Sequence, residues 1–391
     1  LINQLKHQLV ALDSADLAGE GNVAIMSKVL DREFQVLGIG EQSHGTSEFF
    51  AARLLLIKAL ATDRTLTKIG LEAPMAEVEK LNGYLHDGRG DLKAILRSFR
   101  LYGYECQEFV DLVEGVGRIG KARGSDIRFF GFDMQSPFQS LQNLRESGVT
   151  TDVSDSLQKL LHYYELLTNE VYNHNFNTAD FEELKTLSDQ VLGKLATSAQ
   201  TNEMVSKCIR NYRQFLLLND PKYVSAQDVQ SEIRDSLMAE NVLTEVEAGK
   251  KLIILAHNAH LQRTPNAFSK SAGSFLSQKL GVTYQCIALT TAHGSYTAFN
   301  PELGHITDKN KVIAGDSTSF EYHFSKLGQP VFYFRTAPLK QKLRGVRLPG
   351  RYRLLVYGLS LNQFFDGNLL ADFDDVLHIR QTSGNQSFYL K

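Results

Sequence analysis

Two carboxylates, three histidines and an arginine cluster around the ends of short apolar runs. Glu41 and His44 lie in Gly40-Glu41-Gln42-Ser43-His44-Gly45-Thr46, directly after Phe34-Gln35-Val36-Leu37-Gly38-Ile39. Glu72 follows Thr67-Lys68-Ile69-Gly70-Leu71 and precedes Ala73-Pro74. His257 and His260 stand in His257-Asn258-Ala259-His260, after Lys251-Leu252-Ile253-Ile254-Leu255-Ala256. An imidazole is the usual general base at neutral pH. A carboxylate beside it fixes its tautomer and supports the imidazolium as it forms. Arg53, about two turns into the helical pattern after His44, offers a fork that holds such carboxylates ionised and oriented. Each residue alone has an ordinary explanation: a turn histidine, loop charges, a helix salt-bridge partner. Three strand ends carrying the same chemistry make an acid–base site the leading reading.

His257 and His260 are spaced to share one face of a helix. With Glu41 or Glu72 they would make a two-histidine, one-carboxylate metal set. The sequence has no His-Glu-x-x-His motif, and the metal-free reading is preferred, with no cofactor expected. It also has no Gly-x-Ser-x-Gly elbow, no P-loop and no dinucleotide fingerprint. None of Cys106, Cys208 and Cys286 lies beside a site histidine in sequence, so water is the expected nucleophile of a hydrolase. Asp133 closes Ile127–Asp133 and reads as a helix cap or a partner behind the site. His293, in Thr291-Ala292-His293-Gly294-Ser295, reads as a pocket or turn residue. His7, His86, His162, His174, His305, His323 and His378 join no constellation.

These groups need elements to carry them. Strand-like runs occur at Phe34–Gly40, Thr67–Glu72, Ile127–Asp133, Lys251–His257, Tyr284–Thr290, Pro330–Phe334, Tyr352–Gly358 and Asp375–Ile379, with helical stretches between them. That alternation predicts an α/β fold with a largely parallel central sheet flanked by helices. In such sheets ligands bind at the carboxyl ends of the strands. Residues 1–33 read as helical. Gly45 reads as a turn glycine in a conformation other residues disfavour, and Thr46 or Ser47 as the cap of the next helix. Between Asp133 and Lys251 the strand rhythm stops. Stripes such as Leu157, Leu160, Leu161 and Tyr164, or Leu184, Leu187, Val191 and Leu195, predict helices that bury one another, ending in a helix over Asp235–Val246. Pro221 and Ser225–Ser231 are candidate bends. The expected division is an α/β catalytic core over 1–140 and 250–391. Residues 141–249 form an inserted helical subdomain that supplies part of the cleft. The chain after Thr297 is expected to close the sheet with strands and loops.

Composition bounds the partners. The chain has 391 residues, is 43% hydrophobic and 22% charged, and carries a formal net charge of -2, values ordinary for a globular protein. Nothing basic enough for nucleic acid or an anionic membrane surface is present. No apolar run approaches the roughly 20 residues of a membrane helix. The three cysteines are widely spaced and read as buried free thiols. No targeting segment is visible. A cytoplasmic location is favoured, with an exported form as the alternative because the first residue is Leu1.

The combination resembles the erythromycin esterase family. The resemblance rests on Gly40–Phe50 with Arg53, on Ile69-Gly70-Leu71-Glu72, and on Ala256-His257-Asn258-Ala259-His260. Gly131-Phe132-Asp133-Met134-Gln135-Ser136, the Arg234-Asp235 to Asn241 stretch and Ser319-Phe320-Glu321 extend it over most of the chain. It implies an α/β core with a helical insertion walling a cleft, and hydrolysis of a small-molecule ester or lactone. It further implies that His44 is the base that activates water, organised by Glu41, Glu72 and Arg53, while His257 and His260 contact the reacting ester. The alternatives are a metal-dependent hydrolase using the same residues and a non-catalytic protein that binds a small molecule, metal or haem.

Overall fold

The computed structural model describes residues 1–147, 154–167, 178–196, 202–224, 226–355 and 358–390. The fold is mixed α/β, with a mostly parallel central sheet flanked by helices. The strands are β1 (Val10–Ala11), β2 (Val36–Ile39), β3 (Leu66–Pro74), β4 (Arg128–Asp133), β5 (Lys251–Leu255), β6 (Tyr284–Asn300), β7 (His305–Val312), β8 (Val331–Arg335), β9 (Arg351–Arg353), β10 (Phe364–Asp366) and β11 (Asp375–Thr382). The chain divides into two compact units. Leu1–Gly70, Tyr102–Arg128 and Leu243–Lys391 form one; Leu71–Leu101 and Phe129–Val242 form the other.

In the first unit the strand order is β1-β8-β11-β6-β2-β5, followed by the amino half of β3. The middle of this order is parallel: β2 pairs with both β5 and β6, and β11 with β6. Every residue of β2 is buried, as a strand flanked by parallel neighbours and covered on both faces must be. That is why its run is apolar without alternation. The edge is antiparallel, where β8 pairs with β11 and β1.

Residues 1–33 are not helical throughout: Ile2–Lys6 and Glu20–Val29 are helices, but Val10–Ala11 pairs with β8. A β-branched residue offered an open strand edge takes it. β6 does not stop at Thr290 but continues to Asn300, pairing antiparallel with β7. His293 therefore sits in a strand, opposite Gln381 of β11, and is exposed; it is not in a turn. Of the expected strand Tyr352–Gly358, only its start lies in β9, which forms a separate two-stranded ribbon with β10, while 356–357 lie outside the described residues. The three cysteines are free and buried.

The second unit holds the carboxyl half of β3 beside β4, with helices over Met75–Asp87, Phe138–Glu146, Ser154–Leu167, Thr178–Ala196, Glu203–Leu218 and Gln227–Thr244. The expected stripes meet in one core: Leu157, Leu160, Leu161 and Tyr164 pack with Leu184, Val191, Leu195, Ile209 and Tyr212, with Leu187 partly buried against them. Tyr164 meets Phe215 edge-on at 5.4 Å, a favoured aromatic geometry. Pro221 is not a bend but the first residue of a short helix, Pro221–Val224, where its missing N–H costs nothing. Ser225 lies outside the described residues.

Glu77 is buried on the helix that follows β3. Its Oε1 accepts from the Ser136 hydroxyl at 3.0 Å and the Gln139 N–H at 3.3 Å. Burial dominates those bonds and pushes the carboxyl up to about 7. A raised native value means the neutral acid is the favoured folded form. Its stability is present in full below the range of an unfolded glutamate and is lost as pH rises through about 7. Ionisation above that range should cost on the order of 3 kcal/mol. Glu77→Gln should thus match the wild type in thermal stability near pH 5 and exceed it at pH 8. Parallel melting temperatures at both pH values would rule this out.

Candidate active site

The loop after β2 is held by three neighbours. Gly40 N–H donates to the Ile287 carbonyl at 2.9 Å, continuing the ladder with β6. A Cβ on Gly40 would come within 1.9 Å of Asn258 Oδ1, so the residue is glycine for close approach. Asn258 laces the loop after β2 to β6: its N–H donates to the Glu41 carbonyl at 2.8 Å, and its amide nitrogen to the Leu289 carbonyl at 2.9 Å. Gly45 does not adopt the left-handed conformation the sequence suggested. It is glycine because a Cβ would lie 1.8 Å from the Thr297 carbonyl. Its own carbonyl accepts from Thr297 and Asn385 N–H groups at 2.8 and 2.9 Å.

Thr46 takes the N-cap position of the helix Ser47–Leu60, but its hydroxyl pairs with Ser43 and not with the helix. The open N–H groups of that helix are met instead from beyond β11. Ser47 N–H donates to the Ser383 carbonyl at 3.0 Å, and Glu48 accepts from Ser383. This helix carries Arg53, only 1% exposed, into the interior.

Arg53 and His44 share one carboxylate. Arg53 donates to Glu41 Oε2 at 2.7 Å, and His44 Nδ1 lies 2.8 Å from Glu41 Oε1. Arg53 also donates to the Ala256 carbonyl at 2.9 Å, tying the end of β5 to that of β2. Glu41 is buried, and a buried carboxylate needs such partners. Because Glu41 accepts, His44 carries its proton on Nδ1, which places the ring lone pair on Nε2. The His44 side chain remains about a tenth exposed, at 11%.

His257 is arranged in the opposite sense. The Ala259 N–H donates to His257 Nδ1 at 3.2 Å, so that nitrogen holds the lone pair. Nε2 then carries the proton and donates to the Gln42 carbonyl at 3.1 Å. The ring lies 5.1 Å from that of His44, centroid to centroid, and 6.5 Å from that of His260. His260 is partly buried, on the short helix Asn258–Leu261. A metal set including His257 would have to break one of these bonds. Among the described residues, no group of three or more His, Cys, Asp or Glu is placed to hold a metal ion.

Glu41, His44, Arg53, His257 and His260 thus belong together in the first unit. Glu72 belongs to a second set, in the other unit. There Arg234 donates to Glu72 Oε1 at 3.0 Å and to Asp133 Oδ2 at 2.6 Å. Asp133 is fully buried, and its Oδ1 accepts from the Met134 N–H at 2.8 Å. Burial alone would lower the Arg234 guanidinium, but the Asp133 and Glu72 charges more than offset it and raise it. Asp133 is therefore the partner of an arginine and caps no helix. In the sequence Arg234 carries no assigned role, and its one signal is its place in the Arg234-Asp235 to Asn241 stretch that extends the family resemblance.

A family model described as erythromycin esterase matches residues 64–382. Two curated Escherichia coli proteins are similar to the chain. Erythromycin esterase type II is 24% identical over 374 residues, covering 85% of this chain and 88% of that protein. Erythromycin esterase type I is 24% identical over 296 residues, covering 66% and 70%. Among solved structures, a Bacillus cereus protein aligns with a TM-score of 0.78 at 19% identity, covering 99% of this chain and 98% of that one. A protein described as a succinoglycan biosynthesis protein gives 0.76 at 22%, with the same coverages of 99% and 98%. An erythromycin esterase mutant in its open conformation gives 0.69 at 20%, covering 93% and 94%. These structures share the fold.

Proposed function

The chain belongs to the erythromycin esterase family, and from that premise we propose that it hydrolyses a carboxylic ester or lactone with His44 as general base and water as nucleophile. Family membership supports a hydrolase. The observation that carries the mechanism is the buried Arg53–Glu41–His44 relay, with bonds of 2.7 and 2.8 Å. Glu41 fixes the His44 tautomer and offsets the charge that His44 gains. Water attacks the acyl carbon as its proton passes to His44 Nε2. The tetrahedral intermediate collapses, and the proton goes from Nε2 to the departing alkoxide, leaving an acid and an alcohol. For a lactone the two products remain joined.

His260 is assigned to contact with the ester. His257 is assigned to supporting His44 and not to proton transfer, because both of its nitrogens are engaged. Glu72, oriented by Arg234, is kept as a second functional carboxylate on the strength of its motif. A panel of esters and lactones, macrolides included, is to be followed by acid release in a pH-stat with and without chelator. Turnover of at least one ester or lactone, unaffected by chelator, is expected. Turnover abolished by chelator and restored by a metal would overturn the water–histidine mechanism.

A further inference from the structure

Gln42 sits between the two candidate site residues Glu41 and His44, yet it is fully buried. A primary amide in the interior is costly unless its groups are bonded, and here they are. Nε2 donates to Glu321 Oε1 at 2.7 Å, and Oε1 accepts from the Thr291 N–H at 2.9 Å. The carboxylate only accepts and the peptide N–H only donates, so a single orientation of the amide satisfies both. Glu321 is itself fixed, because its Oε1 also accepts from the Arg353 N–H at 2.8 Å. The clamp therefore reaches from the loop after β2 to β6, to the helix Phe320–Ser325 and to β9.

The same residue has a second, backbone role. Its carbonyl accepts from Leu355 N–H at 2.8 Å and from His257 Nε2 at 3.1 Å. We infer that Gln42 is a positioning residue: its clamped side chain aims its carbonyl at His257 and holds that ring as the neutral Nε2–H tautomer beside His44. A proton added to His257 would have to go to Nδ1, which faces the Ala259 N–H, so two donors would oppose each other. The ring 5.1 Å from His44 thus stays uncharged while His44 cycles through its imidazolium. His257 shields and aligns the base without competing for its proton. The inference deepens the proposed ester hydrolysis and rests on it for its catalytic part.

The test uses the full chain, labelled with ¹⁵N histidine, with His257→Asn identifying the His257 signals. The wild type should show His257 as neutral Nε2–H across pH 5–8, on the order of the range in which histidine ordinarily titrates. Gln42→Met, isosteric but without hydrogen bonds, should mix the tautomers of His257. It should lower kcat by about 10- to 100-fold, the scale of an ångström-sized misplacement, and leave KM within about twofold, since the Gln42 side chain is fully buried. Gln42→Glu keeps the acceptor for Thr291 but sets a second carboxylate against Glu321. It serves if the methionine variant does not fold, and should give the same two changes. A charged or Nδ1–H His257 in the wild type overturns the inference, as does a folded variant with unchanged His257 signals and kcat. If the wild type turns over no ester, the proposed function fails, while the His257 spectrum still decides the positioning claim.

Discussion

His44→Ala should fold normally and lose about 10²- to 10⁴-fold in kcat on any ester the wild type hydrolyses, the span usual for a general base. The side chain is partly exposed, and its bond to Glu41 lies on the site side of the relay. Arg53 still satisfies the other Glu41 oxygen, so the buried carboxylate keeps a cationic partner. The loss should fall on kcat, because the proton moves only as the water attacks. Melting temperature and steady-state kinetics check this together. An active, folded His44→Ala enzyme would remove His44 from the mechanism.

Glu41→Gln should be nearly as damaging, through the position of a proton. Arg53 can only donate, so it selects the amide oxygen at the position of Oε2. The amide NH₂ is then left facing His44 Nδ1. A donor there forces the lone pair onto Nδ1 and the proton onto Nε2, which is the wrong tautomer for accepting a proton from water. We expect a fall of about 10²-fold or more in kcat, bounded by that of His44→Ala, because both changes disable one base. For the same reason the double variant should be no worse than His44→Ala alone. Multiplying losses would show that Glu41 acts independently of His44.

The parts of the site that were legible in the sequence are those whose chemistry is local. β2 reads as a buried strand because a strand with parallel neighbours and both faces covered has no side left for polar residues. Glu41 and His44 read as functional because they follow it immediately. Arg53 is a helix residue whose only surprise is its depth. What was illegible depends on distant partners. Gln42 looks like a loop polar residue until Glu321 and Thr291 are beside it. Arg234 acquires meaning only next to Glu72 and Asp133. The extension of β6 was hidden because its alternation of polar and apolar residues begins where the buried run ends, as Ser295-Tyr296-Thr297 shows. Gly45 reads as a constrained glycine, but the constraint is the backbone of Thr297, not its own dihedral angle.

The lacing of the His44 loop by the segment after β11 has a consequence for biosynthesis. Gly45 and Ser47 bond to Asn385 and Ser383, which are translated long after the loop itself. At ordinary elongation rates the wait is on the order of tens of seconds. Through that interval a nascent chain can assemble β2, β5 and β6 while the loop bearing His44 still lacks its final fastening. The setting of the His44 loop would then wait on the segment after β11, and a nascent chain lacking residues 383–385 would hold that loop without these bonds.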